Sequence, residues 1–346
     1  MQSHTRPPHA ALEISRLIQA PSVSFQQTFC NIRQNKKKIL TIATRKSPLA
    51  LWQAYHVRDR LQAAFPEITI ELLEMTTQGD ERLDVSLTKI GGKGVFVKEL
   101  ETALYDGRAD LAVHSLKDVP MELPDGLELC CLTARETPAD AVVHRAGTKA
   151  WTGFSDISDG AHLGTSSLRR IAQIRALRPD LKLSPVRGNL GTRLRKLDAG
   201  EFDGLVLASA GLKRLKLGDR IAFETASEDV LPACGQGILG IEIRQDDSKT
   251  RAIVMTLQDE ASEIAGRAER ALNRHLNGGC QVPIAAYAIE REGRLWLRAL
   301  VGSADCGTLL KADDVGEYDE AEALGIRVAE ELIVQGAKEL LAQAGL

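Results

Sequence analysis

The chain has 346 residues, 44% of them hydrophobic and 26% charged, with a formal net charge of −3. That is the make-up of an ordinary globular protein with room for two or three compact units, and no run reaches the ~20 apolar residues a membrane-spanning helix needs. Six cysteines (30, 130, 131, 234, 280 and 306) form no C-x-x-C pair and no regular spacing, which argues against a zinc site or a disulfide framework and for a reducing compartment.

Residues 1–37 differ from the rest of the chain. They are rich in Ser, Gln, Arg and Pro, have Glu13 as their one acidic residue, and run into Lys36, Lys37 and Lys38. No apolar core follows an N-terminal positive charge, so this is not a secretory signal. The acid-poor composition leaves open an organelle transit peptide, and a disordered extension or an upstream start reads equally well.

From Ile39 the pattern becomes regular. Ile39 to Ala43 reads as a short buried strand, and Ser47 is a natural N-cap with Pro48 at the first helical position. The helix is predicted to run to Ala64, Pro66 follows its end, and Ile68 to Leu73 is the next strand. "GGKG" (Gly91 to Gly94) is not a phosphate-binding P-loop, because Val95 and Phe96 offer no hydroxyl for Mg²⁺. No G-x-G-x-x-G follows a strand, so no dinucleotide site is indicated. In "DLAVHSLKDVP" (Asp110 to Pro120) a buried strand leaves Ser115 to Asp118 just past its carboxyl end.

A second unit repeats this logic from "HLGTSSLRRIAQIRALRPDLKLSPVRGN", and a finer echo supports it. "DGRADLAVHS" resembles "AGEFDGLVLAS", with Gly107 matching Gly200 and Asp110 matching Asp203. The two echoes predict two α/β units of like topology, each with a mainly parallel sheet that binds ligands beyond the carboxyl ends of its strands. The end of the chain differs. Glu260 to Leu276 is predicted helical, Pro283 to Glu290 and Arg294 to Val301 form a hairpin, and a further helix starts at Tyr318. This reads as a small α+β domain with "NGGCQVP" (Asn277 to Pro283) as the loop at its front.

The charge is unevenly spread. Twelve basic residues lie between Thr165 and Lys216 against four acidic ones, a local field suited to a specific anionic ligand. In "GTSSLRR", Arg169 and Arg170 fall in a first helical turn, where the macrodipole disfavours cations unless an anion sits among them. The hydroxyls of Thr165, Ser166 and Ser167 would complete an anion cradle. Arg187 and Arg193, Lys213 and Arg214, and Arg45 with Ser47 recur at three more strand–helix junctions. Arginine at most of these places points to carboxylates held by two hydrogen bonds, with phosphate the other option. A solvated charged face is the plain alternative.

Asp118 beside Lys117 is the best catalytic candidate, as general acid or base or as stabiliser of a cationic intermediate; otherwise it caps the turn before Pro120. His114 reads as a packed strand-end residue, and the seven histidines give no metal pair at helical spacing. Cys280 has three readings: a nucleophile, which the end of the preceding helix does not favour, a structural thiol, or a tether for a cofactor.

Taken together, "RKSPLALWQA", "GGKGVFVKELE", "HSLKDVP", "GTSSLRR", "RGNLGTRLRKL", "AGLKRL", "LPACGQGILGIE" and "GGCQVPIAA" resemble the porphobilinogen deaminase (hydroxymethylbilane synthase) family, in register from Ile39 to Val301. The resemblance implies an enzyme that links four porphobilinogen molecules head to tail, releasing ammonia each time, and then frees the linear tetrapyrrole by hydrolysis. It implies a dipyrromethane primer held by a thioether to Cys280, and Asp118 as the catalytic acid. Arg45, Ser47, Lys117, Thr165, Ser166, Ser167, Arg169, Arg170, Arg187, Arg193 and Arg214 would bind acetate and propionate groups, and Phe96 would lie against a pyrrole ring.

The implied fold is α/β, with two periplasmic-binding-protein-like doubly wound domains plus a small C-terminal α+β domain. The division is residues 38–135 with 236–256, then 136–235, then 257–346. A cytoplasmic monomer with no metal, nucleic-acid or membrane partner is expected, unless residues 1–37 direct import into an organelle. Cys234 is not a position the family's mechanism uses and reads as structural. The rivals are a non-catalytic receptor for a carboxylate anion and a nucleic-acid-binding module. The second fits poorly, with only 4% aromatic residues and arginines spread over several junctions.

Overall fold

The computed structural model describes residues 39–77, 97–148, 151–279, 282–303 and 307–343. The expectations placed on residues 1–37 lie outside them. Strand β1 (Ile39–Arg45) buries Leu40, Ile42 and Ala43, and the chain then turns at Ser47, whose Oγ accepts from Ala50 N at 3.3 Å. With Pro48 opening it, helix α1 (Pro48–Ala64) has the predicted cap and the predicted end. Strand β2 (Thr69–Met75) pairs parallel to β1 with Ile39 opposite Thr69.

Helix α2 (Lys98–Tyr105) leads into β3 (Leu111–Ser115), a 3-10 turn at Leu116–Asp118, and β4 (Leu127–Leu132). The chain then leaves the first sheet for β5 (Asp140–His144), β6 (His162–Gly164), α3 (Leu168–Leu177) and β7 (Lys182–Ser184). Helix α4 (Leu190–Asp198), β8 (Gly204–Ala208), α5 (Ser209–Arg214) and β9 (Ile221–Glu224) complete the second sheet. It returns as β10 (Leu239–Arg244), followed by α6 (Ser248–Val254).

The two sheets have the same plan. The first has the order β2-β1-β3-β10-β4 and the second β7-β6-β8-β5-β9. In each, the fourth strand runs antiparallel to both neighbours and is the one delivered by a crossover from the other sheet. The expectation of two mainly parallel, doubly wound α/β units is met.

The sequence echo is a structural repeat. Asp110 N donates to Thr41 O at 2.8 Å and its Oδ2 accepts from Thr41 N at 2.9 Å. Asp203 N donates to His162 O at 2.8 Å and its Oδ2 accepts from His162 N at 2.8 Å. In both units the aspartate ties the start of the third strand to the first strand. Gly107 and Gly200, with φ of +69° and +82°, make the preceding turns.

The remainder is a three-stranded sheet, β11 (Ile284–Arg291), β12 (Arg294–Gly302) and β13 (Leu309–Gly316), covered by α7 (Glu260–His275), α8 (Ala321–Val334) and α9 (Ala337–Gln343). Leu272, Leu297, Val301, Leu324, Val328 and Leu332 are fully buried between sheet and helices. Strand β13 has no counterpart among the predicted elements. Its sequence LLKADDVG carries three charges and buries only Ala312 and Gly316, so as an edge strand it gives little apolar alternation to read.

Candidate functional site

The described site residues predicted from sequence fall at strand ends or in the turns and helices that follow strands. Arg45 and Ser47 follow β1, Lys117 and Asp118 follow β3, and Thr165 to Arg170 follow β6. Arg187 and Arg193 follow β7, and Arg214 follows β8. These are the carboxyl edges of the parallel strands, where an open α/β sheet leaves its ligand crevice.

Asp118 closes the 3-10 turn after β3. Leu116 and Val119 on either side are each 1% exposed, while Asp118 itself is exposed. Burying the flanking leucine and valine aims the carboxylate outward. The turn is fixed by Val119 N to Leu116 O at 3.1 Å and Leu116 N to Ile238 O at 3.0 Å. One cavity is lined by Asp118 together with Arg45, Ser47, Gln53, His114 and Ser115. Gln53 Nε2 donates to Ser115 Oγ at 2.9 Å, joining α1 to the end of β3. His114 is buried and shares a 2.8 Å hydrogen bond with buried Glu242 on β10, the packed role expected of it. Beside them Glu101 is pushed up to about 7 by burial and by the Glu242 carboxylate.

Lys117 turns the other way and donates to Gln236 Oε1 at 3.2 Å. Burial brings its pKa down to about 8 against the pull of Asp118 and Asp140. Gln236 Nε2 donates in turn to Asp140 Oδ1 at 2.9 Å. Asp140, fully buried, is the centre of this group: Arg169 Nη2 donates to Oδ2 at 2.8 Å and Arg170 Nη2 to Oδ1 at 2.7 Å. Burial would raise the Asp140 carboxyl, but the two guanidiniums hold it well below the usual carboxylate range. The anion that two arginines at a helix start require is therefore internal.

Arg169 Nη1 and Arg170 Nη1 also donate to the carbonyls of Leu231 and Val206, at 2.7 and 2.9 Å. Arg170 Nε is buried with no hydrogen-bond partner among the described residues.

The other predicted residues have more local partners. Thr165 Oγ1 accepts from Ser167 N at 3.3 Å, and Ser166 Oγ donates to Val186 O at 2.8 Å, so these hydroxyls shape the turn before α3. Arg193 Nε donates to Gly188 O at 2.8 Å, and burial together with Arg170 lowers its pKa while Asp118 opposes that. Arg214 Nη2 donates to Gly237 O at 2.7 Å and its guanidinium lies 5.7 Å from the centre of the Trp52 ring. Gly237 has φ +95°, and a Cβ there would run into the Glu136 carbonyl. Cys234 is buried, and burial pushes its thiol well above the ordinary range, as befits a structural cysteine. Phe96 and Cys280 lie outside the described residues.

Asp140, Gln236, Arg135 and Glu269 were not singled out from sequence. Arg135 Nη1 donates to Glu269 Oε1 at 2.7 Å, and Glu269 also accepts from Gly235 N at 2.6 Å and Ala288 N at 2.9 Å. The excess of basic residues between Thr165 and Lys216 was a signal that a carboxylate was needed. The residue that supplies it, Asp140, lies 29 residues before Arg169, outside that window.

Comparison with known proteins gives two family matches. Residues 40–252 match the family described as "Porphobilinogen deaminase, dipyromethane cofactor binding domain", and residues 264–334 match "Porphobilinogen deaminase, C-terminal domain". Similar solved structures include the periplasmic VFT2 domain of BvgS from Bordetella pertussis, 17% identical over 66% of this chain and 88% of that one, with a TM-score of 0.39. Another is the periplasmic aliphatic sulphonate binding protein SsuA from Escherichia coli, 15% identical over 70% and 71%, with a TM-score of 0.38. At these scores the likeness carries no inference about this chain's chemistry.

Proposed function

The chain belongs to the porphobilinogen deaminase family, and from that premise we propose how its own residues divide the work of joining four porphobilinogen molecules head to tail. The observation that carries the proposal is the cavity in which Asp118 shares a wall with Arg45 and Ser47 at the carboxyl ends of β3 and β1. A carboxylate there is exposed enough to meet substrate, and a cation lies within the same walls to hold a substrate carboxylate.

Asp118 is the general acid. It protonates the departing amine and stabilises the positive charge that develops on the pyrrole as ammonia leaves. Arg45, Ser47, Lys117, Thr165, Ser166, Ser167, Arg169, Arg170, Arg187, Arg193 and Arg214 bind the acetate and propionate groups, two per pyrrole, so a lengthening product needs many cations. Phe96 lies against a ring. Chain growth calls for no metal.

The family's cofactor is dipyrromethane. The donor set fits it: a two-ring primer carries four carboxylates, several arginines follow the strand ends, and Arg170 Nε, buried with no partner among the described residues, is the kind of donor a ligand oxygen satisfies. Attached through a thioether to Cys280, it supplies the pyrrole carbon to which the first substrate is joined. Asp140 keeps Arg169 and Arg170 ionised and fixes their guanidiniums in place. The enzyme is a transferase acting as a monomer. Its domains are residues 38–135 with 236–256, then 136–235, then 257–346, a division supported by which strands share a sheet. It works in the cytoplasm, or in an organelle if residues 1–37 direct import. No helix among the described residues is long and apolar enough to cross a membrane.

The test is to incubate the purified protein with porphobilinogen and follow ammonia and linear tetrapyrrole together. Release of four ammonia per tetrapyrrole is expected. Binding without ammonia release would instead favour a receptor for carboxylate anions.

A further inference from the structure

The assigned acid sits on a turn whose rear is held by a different part of the chain. Arg270 of α7 is 7% exposed, and its guanidinium reaches three consecutive carbonyls directly after Asp118. Nη1 donates to Val119 O at 3.3 Å, and Nη2 donates to Pro120 O at 2.7 Å and to Met121 O at 3.3 Å. Irregular backbone turned away from water must find donors for its carbonyls, and one planar fork supplies them here.

A second contact brings the same helix against the same turn. Gly266 lies one helical turn before Arg270, and a Cβ there would stand 2.6 Å from Leu132 Cδ1 and 3.4 Å from Leu116 Cδ2. The α7 backbone is thus drawn onto the buried leucine of the Asp118 turn. The neighbouring Glu269 fastens α7 to Arg135 and Gly235, one on each crossover between the sheets. Adjacent residues of α7 therefore fix it to both crossovers and to the acid's turn.

We propose that Arg270 is a positioning residue that sets Asp118 relative to the root of the anchoring loop, a proposal that rests on Asp118 being the acid and Cys280 the anchor. Helix α7 ends at His275, and Gly278 N closes back onto Asn273 O at 2.8 Å, two residues before Cys280. With a rise of ~1.5 Å per residue, Arg270 and Leu276 are roughly 9 Å apart along one rigid axis. The offset between acid and anchor root is set by a helix and a guanidinium fork. Misplacing a catalytic group by about 1 Å can cost on the order of 10²-fold in rate, so this fork has kinetic weight.

Arg270→Gln and Arg270→Lys in the holoenzyme test it, the second being read in the same ways should the first not fold. Both are expected to keep the covalent adduct by intact mass, and to lose about 10- to 100-fold in kcat with KM changed less than about 2-fold. Amide exchange at Leu116 and Val119 is expected to quicken while that of β1 stays unchanged. In an Asp118→Asn background, Arg270→Gln should cost less than about 2-fold more, because the two act as one unit. An undiminished kcat, an equal loss in both backgrounds, loss of the adduct, or unchanged exchange at the turn would overturn the proposal. Failure of the premises reads differently: Asp118→Asn alone would turn over normally if Asp118 were not the acid, and the parent enzyme would itself lack the adduct if Cys280 were not the anchor.

Discussion

Asp140 governs how Arg169 and Arg170 can act. Two guanidiniums at a helix start repel each other and the macrodipole, and a fully buried carboxylate between them removes both penalties. Asp140→Asn keeps the shape but leaves two buried cations uncompensated, and a loss of about 3–5 kcal/mol in urea unfolding is expected. A loss below about 1 kcal/mol would mean that solvent already screens the cluster. The folded carboxyl titrates below its unfolded value, so its stabilising contribution is complete above the unfolded pKa and fades as pH falls through the folded one. Asp118 differs in kind, being exposed at the crevice with little to lose in stability. Asp118→Ala is expected to melt like the parent, retain the adduct, and lose about 10²–10⁴-fold in kcat. Normal consumption of porphobilinogen by that variant would make it the wrong acid. That Arg169 and Arg170 need an anion was readable, because two cations open one helix. The internal anion was not, because pairing across the fold leaves no trace in local spacing.

Among the elements, α2 carries a penalty that its position explains. Burial first, and then the charge of the buried Glu242 on β10, push the Glu101 carboxyl up to about 7. Between the unfolded value near 4.5 and the folded value near 7, the native state binds the extra proton, so stability falls as pH rises through that window and levels off above it. Glu101→Gln, which mimics the protonated form, is expected to flatten that slope and to stabilise the protein above pH 7 by up to about 3 kcal/mol. Denaturant midpoints at pH 5 and pH 8 check it, and a parallel pH response in both proteins would refute it. The α/β elements were legible where a chemical cap and an apolar period coincide, as at Ser47-Pro48 ahead of α1 and at Asp110 and Asp203 ahead of β3 and β8. Strand β13 was not, since its pairing with β12 rather than its own pattern makes it a strand.

Across the whole molecule, two like sheets exchange one strand each, and α7 braces both crossovers through Glu269 and the acid's turn through Arg270. The duplication was visible in the paired Gly and Asp positions. The return of β10 to the first sheet came only through the family resemblance, which placed residues 236–256 with residues 38–135, because the pattern of a strand does not say which sheet it joins. The proposed division of labour fits this plan: Asp118 and several of the proposed carboxylate-binding residues follow the carboxyl ends of strands, and Cys280, the proposed attachment point, follows α7 in the sequence. The most direct test is the intact mass of the purified protein. A covalent addition equal to two linked pyrrole units is expected, absent after Cys280→Ser along with activity. An unmodified mass in a fully active enzyme would contradict it.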